Sequence, residues 1–124
     1  MSLTESADQI AQLLEMIAIP SRLAILLVIG EGEACVCHLE TVLEKRQAYI
    51  SQHLMALRDA GVITHRRDGR FIYYRITNPA LFELIRHAAR VAGVEITAQP
   101  VSALCECPDC ADQKPAYIPL IERK

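Results

Sequence analysis

A chain of 124 residues with 52% apolar and 23% charged side chains is long enough for one domain with a real core, and has the balance of a folded soluble protein. No apolar run approaches the roughly 20 residues that cross a bilayer. The N-terminal stretch from Met1 to Asp8 lacks the basic and apolar regions of a signal peptide, so no membrane partner is expected and the expected location is the reducing cytoplasm. There the five cysteines are expected to act as ligands or sensors rather than as disulfides.

The first helix is expected over about residues 4–18, capped by Thr4, with Ile10, Leu13, Leu14 and Ile17 on one face. Ile19-Pro20-Ser21 breaks it and starts a second helix through Ile29, with Leu23, Leu26 and Leu27 as the expected inner stripe. Gly30-Glu31-Gly32-Glu33 is a flexible connection. A short third helix over about residues 36–43 places Leu39, Val42 and Leu43 inward.

The turn Glu44-Lys45-Arg46 then leads into the stretch on which the functional reading rests. Ile50, Leu54 and Leu57 fall at i, i+4 and i+7 and bury together, while Gln47, Tyr49, Ser51, Gln52 and His53 share the first two turns and project outward. Gly61 suits the left-handed end of that helix. A short turn between two helices, the second polar and basic at its start, makes a helix-turn-helix whose second helix can reach base edges. Two β-rich runs flank Asp68-Gly69, a hairpin signal, with Arg66, Arg67 and Arg70 near its tip as candidate phosphate contacts.

The net charge of −2 argues against nucleic acid only as an average: residues 41–75 hold seven Lys/Arg against three acids, net +4, and the remainder is −6. Duplex DNA responds to the local patch. Asn78 and Pro79 open a last helix with a broad apolar stripe of Leu81, Leu84, Ile85, Ala88, Ala89 and Ala92. The first and last helices are read as the interface of a homodimer, which would set two recognition helices against two half-sites. The expected fold is mainly α with a small β-hairpin, in the order α-α-α-α-β-β-α: a winged helix-turn-helix domain over residues 1–92. Four of the six prolines fall in the last 25 residues, so residues 93–124 read as an extended tail, which carries Cys105, Cys107 and Cys110.

Four blocks follow one another in an order that resembles the ArsR/SmtB family over about residues 5–92: Pro20-Ser21-Arg22-Leu23-Ala24-Ile25-Leu26, Cys35-Val36-Cys37-His38-Leu39, Ser51-Gln52-His53-Leu54 through Val62, and Arg67-Asp68-Gly69-Arg70-Phe71-Ile72-Tyr73-Tyr74. The resemblance implies a homodimeric winged-helix repressor that leaves double-stranded operator DNA when an inducer ion binds, with no catalytic residues and no organic cofactor. It also implies that Cys35 and Cys37 are the core of a thiolate site for As(III), Sb(III) or a soft metal ion such as Cd or Pb.

The chemistry agrees, since soft ions select thiolates and a helix N-terminus favours the ionised thiol. Were both residues in a regular helix they would point about 200° apart, so one ion could join them only if the helix start is distorted. The missing ligands are expected from the tail, with Cys107 and Cys110, a C-x-x-C pair, ahead of Cys105. The main alternative is a redox or reactive-sulfur-sensing repressor of the same fold. A tail zinc site with His38 and an iron–sulfur cluster are lesser ones. A thiol oxidoreductase using Cys107 and Cys110 is the competing enzyme class, and the proline-rich tail offers it no strand-to-helix scaffold. Glu83 and His87 share a face of the last helix and are read as an exposed pair rather than an inducer site.

Overall fold

The computed structural model describes residues 1–96. They form helices α1 (Leu3–Ile17) and α2 (Pro20–Ile29), strand β1 (Ala34–Cys35), helices α3 (Val36–Leu43) and α4 (Gln47–Asp59), strands β2 (Ile63–Asp68) and β3 (Phe71–Ile76), and helix α5 (Pro79–Ala92). The expected helices are all present. Strand β1 is additional: it pairs antiparallel with β3, giving a three-stranded sheet in the order β1-β3-β2.

Local chemistry explains most boundaries. Ser2, not Thr4, caps α1, and with Glu5 it forms a reciprocal capping box that satisfies two backbone donors. Pro20 occupies the first turn of α2, where its missing N–H costs nothing. Gly61 has φ +78° just past α4. The hairpin turn lies one residue later than the dipeptide suggests, because Asp68 still pairs with Phe71 and only Gly69 and Arg70 form the loop. Gly69 has φ +63° and Arg70 does not share it, the pattern of a II′ turn with glycine first.

The core draws on every long element, including Ile17, Ile25, Leu26, Leu39, Ile50, Leu54, Leu57, Ile63, Ile76 and Ile85. The α4 stripe is buried as expected. In α2 the buried face is Ile25, Leu26 and Ile29, whereas Leu23 is half-buried and Leu27 exposed. That helix is apolar almost all round, so its inner face is chosen by packing against α3 and α4 and not by its own pattern.

Along α1 only Ile17 is buried, and Ile10 remains 58% exposed. Leu14, Leu23, Leu27, Leu84, Ala88 and Ala92 line an apolar groove of about 380 Å³ between α1, α2 and α5. This open face is the one assigned to a second copy of the chain. Among the described residues, no single helix is long and apolar enough to cross a membrane.

Candidate nucleic-acid interface and thiol site

Helix α4 is seated by its buried stripe and then tied to α2 by two side-chain contacts. Tyr49 Oη and Ser21 Oγ are hydrogen-bonded to each other, and Arg22 Nε donates to His53 Nδ1 at 3.3 Å. Arg22 also donates from Nη1 to the Met16 carbonyl at 3.1 Å, so one guanidinium at the start of α2 joins the end of α1 to the middle of α4. The Tyr49 and His53 rings meet edge-on at 4.9 Å, and the Lys45 ammonium lies 5.5 Å from the Tyr49 ring centre. Burial and the neighbouring Arg22 charge hold the His53 pKa below the ordinary 6.5, which keeps Nδ1 an acceptor.

Of the five residues singled out for the major groove, Tyr49 and His53 are therefore also the braces of the helix. Gln47 and Gln52 are exposed, and Ser51 is half-buried. Arg46 precedes α4 without a side-chain cap, leaving the positive end of the helix open beside Lys45 and Arg46.

The three wing arginines separate. Arg67 and Arg70 are exposed, with the Arg70 guanidinium 5.2 Å from the Phe71 ring centre. Arg66 is not simply a tip residue. It is tied to Glu33 through a fork, Nε to Oε2 at 2.9 Å and Nη2 to Oε1 at 2.8 Å, and its guanidinium lies 4.5 Å from the Tyr73 ring centre. The hydrogen bonds and charge of Arg66 hold the Glu33 carboxyl below its ordinary 4.5.

Cys35 is 2% exposed and belongs at once to β1, where it pairs with Tyr73, and to α3, of which it is the N-cap. Its Sγ accepts from the His38 N–H at 3.4 Å. Its backbone is extended (φ −87°, ψ 163°), so the expected 200° divergence on a regular helix does not apply: Cys35 stands outside the helix and Cys37 in its first turn. Cys37 is half-buried, and its carbonyl accepts from Thr41 Oγ1. Burial lowers the pKa of neighbouring His38.

Among the described residues, no group of three or more His, Cys, Asp or Glu side chains could hold a metal ion. Cys105, Cys107 and Cys110 lie outside the described residues. On α5, Glu83 pairs with Arg86 and His87 with Arg90.

Sequence reasoning missed Ser21, Arg22 and Glu33. Arg22 alone left a trace, as the one charged side chain in the apolar α2 segment.

The profile of the bacterial regulatory protein arsR family matches residues 20–65, which run from the start of α2 into β2. A biofilm growth-associated repressor of Agrobacterium fabrum is 36% identical over 84 residues, covering 68% of this chain and 72% of that protein. The chain belongs to the arsR family of bacterial regulatory proteins. Among its relatives is the transcriptional repressor SmtB of Mycobacterium tuberculosis, 38% identical over 89 residues (72% of this chain). Another is the arsenical resistance operon repressor of Escherichia coli, 42% identical over 67 residues (53% of this chain). The matches span 66% and 57% of those two proteins. A homodimeric winged helix-turn-helix DNA-binding domain from Mycobacterium bovis superposes with a TM-score of 0.65 at 30% identity, covering 75% of this chain and 88% of that one. These relatives are named as regulators of transcription, not as enzymes.

Proposed function

We propose that this ArsR-family chain is a transcriptional repressor that binds operator DNA as a homodimer and is released when As(III), or another thiophilic ion, binds its cysteine thiolates. The observation that carries the reading is the position of Cys35. It ends the strand that pairs with the wing and caps the helix that packs on α4. An ion that draws Sγ away from the His38 N–H disturbs both DNA-facing elements from one point. The helix N-terminus favours a thiolate there. Cys37, in the first turn of α3, is the second ligand. The tail thiols Cys105, Cys107 and Cys110 are proposed to complete the site, Cys107 and Cys110 first.

On the DNA side, Gln47, Ser51 and Gln52 are assigned to base edges, with Tyr49 and His53 beside them. Arg67 and Arg70 are assigned to phosphates, with Arg66 at the base of the wing. The arsenical operon repressor among the relatives supports the choice of ion. The exposed apolar face of α1 and α5 and the homodimeric neighbour support the dimer.

The test is fluorescence anisotropy of the reduced chain on its own promoter DNA, titrated anaerobically with arsenite. Release is expected for the wild type and not for Cys35→Ser. DNA binding that ignores arsenite but is reversed by an oxidant or a polysulfide would replace the ion by a redox signal. Thiol-reductase turnover without sequence-specific DNA binding would end the repressor reading altogether.

A further inference from the structure

Cys35, Tyr73 and Arg66 stand side by side in one row across the sheet, Cys35 paired with Tyr73 and Tyr73 with Arg66. Glu33, two residues before Cys35, reaches over the same row to hold Arg66 through both Nε and Nη2. The strand bearing the thiol is thus joined to the wing twice, by the backbone ladder through β3 and by a carboxylate–guanidinium fork. Cys35 at one end of the row and Tyr73 at its centre are both almost fully buried, at 2% and 1% exposure, so Cys35 cannot shift without moving Tyr73. A two-pronged fork also fixes direction, which a single flexible ion pair does not.

We propose that Glu33 is a positioning residue that couples the state of the thiol site to the DNA-binding set of the wing, acting through Arg66. This rests on the reading that an ion at Cys35 causes release. When Cys35 shifts to take an ion, Glu33 shifts with it on the same short segment. Arg66 follows its carboxylate and carries β2, with the adjacent Arg67, away from its DNA-bound position.

The fork is partly exposed, with 47% of the Arg66 side chain accessible, so its removal leaves the fold standing. What its removal takes away is the transmission.

The experiment uses the full reduced chain as wild type, Glu33→Gln and Glu33→Asp. Arsenite binding is followed directly by thiolate–arsenic ultraviolet absorbance. DNA affinity is measured by anisotropy with and without saturating arsenite. In Glu33→Gln, arsenite affinity is expected to be unchanged and ion-independent DNA affinity to stay within about fivefold, while the ratio of the two DNA dissociation constants falls about tenfold. Glu33→Asp, which keeps the charge on a shorter arm, is expected to recover part of that ratio. A ratio in Glu33→Gln equal to the wild-type value overturns the coupling while the repressor reading stands. A wild type that binds arsenite and stays on DNA removes the reading of release by the ion, and the coupling with it.

Discussion

The two elements assigned to DNA are held in place by different chemistry. Helix α4 rests on Ile50, Leu54 and Leu57 and is then aligned by contacts that need a neutral partner: the Ser21–Tyr49 pair of hydroxyls and the Arg22 donor to His53 Nδ1. The wing buries Ile63, Tyr73 and Ile76 and half-buries Phe71, Ile72 and Tyr74, and beside the ladder to β1 its lateral side-chain support is the ionic fork between Glu33 and Arg66. An apolar seat with hydrogen bonds to uncharged acceptors responds little to salt and fixes an orientation tightly. A half-exposed ion pair is screened by salt and yields more easily. The element assigned to base edges is therefore the rigid one, and the element assigned to phosphates is the adjustable one.

The largest perturbation removes the seat itself. Leu54→Ala opens a cavity at a residue 1% exposed and is expected to cost about 2–5 kcal/mol in urea unfolding. Because α4 and β2 share the core, amide exchange should accelerate in the wing as well as in α4. Acceleration confined to α4 would show that the two elements are separate cooperative units and would weaken the comparison. Next come the contacts to DNA. Gln52→Ala is expected to lose about 1–3 kcal/mol on promoter DNA and little on a scrambled duplex, whereas Arg67→Ala should lose similar amounts on both and lower the salt slope by about one. If both changes erased discrimination equally, the division between base reading and phosphate holding would be wrong.

How much of this was legible in the sequence follows from the range of each interaction. The α4 stripe, the Asn78-Pro79 start and the glycine stops act within one element, so periodicity and capping chemistry reveal them. The buried face of α2 is not legible, because nearly every residue there is apolar and only neighbouring helices select one side. Strand β1 has two residues and no pattern, since β3 creates it by pairing. The braces were not legible for the same reason: Arg22 and His53 are separated by 31 positions, and Glu33 and Arg66 by 33. The thiol pair is legible as a motif, but the placement of Cys35 on the strand side of the helix start depends on β1, so the 200° divergence expected of a regular helix does not arise.

Acid should break the two supports in order, which is the smallest and most selective test of the comparison. The folded state holds the His53 pKa below 6.5, so it binds fewer protons than the unfolded chain. The stability from that group is complete above 6.5 and is lost as pH falls below 6.5 through the folded value. The folded state also holds Glu33 below 4.5, so its contribution is complete above 4.5 and disappears only as pH falls from there through its own lowered value. Nuclear magnetic resonance during an acid titration should therefore show the α2–α4 contact responding first, at Tyr49 and His53, with the wing resonances of Arg66 and Tyr73 following at lower pH. Burial holds the His38 pKa below its ordinary value too, so its protonation also counts against the folded state as pH falls. The control is His53→Gln, whose side-chain oxygen offers Arg22 an uncharged acceptor. This variant should remove the early response at Tyr49 and leave the later wing response in place. If the wing moves first, or if Tyr49 responds unchanged in His53→Gln, the helix is not held by the neutral imidazole and its alignment comes from the apolar seat alone.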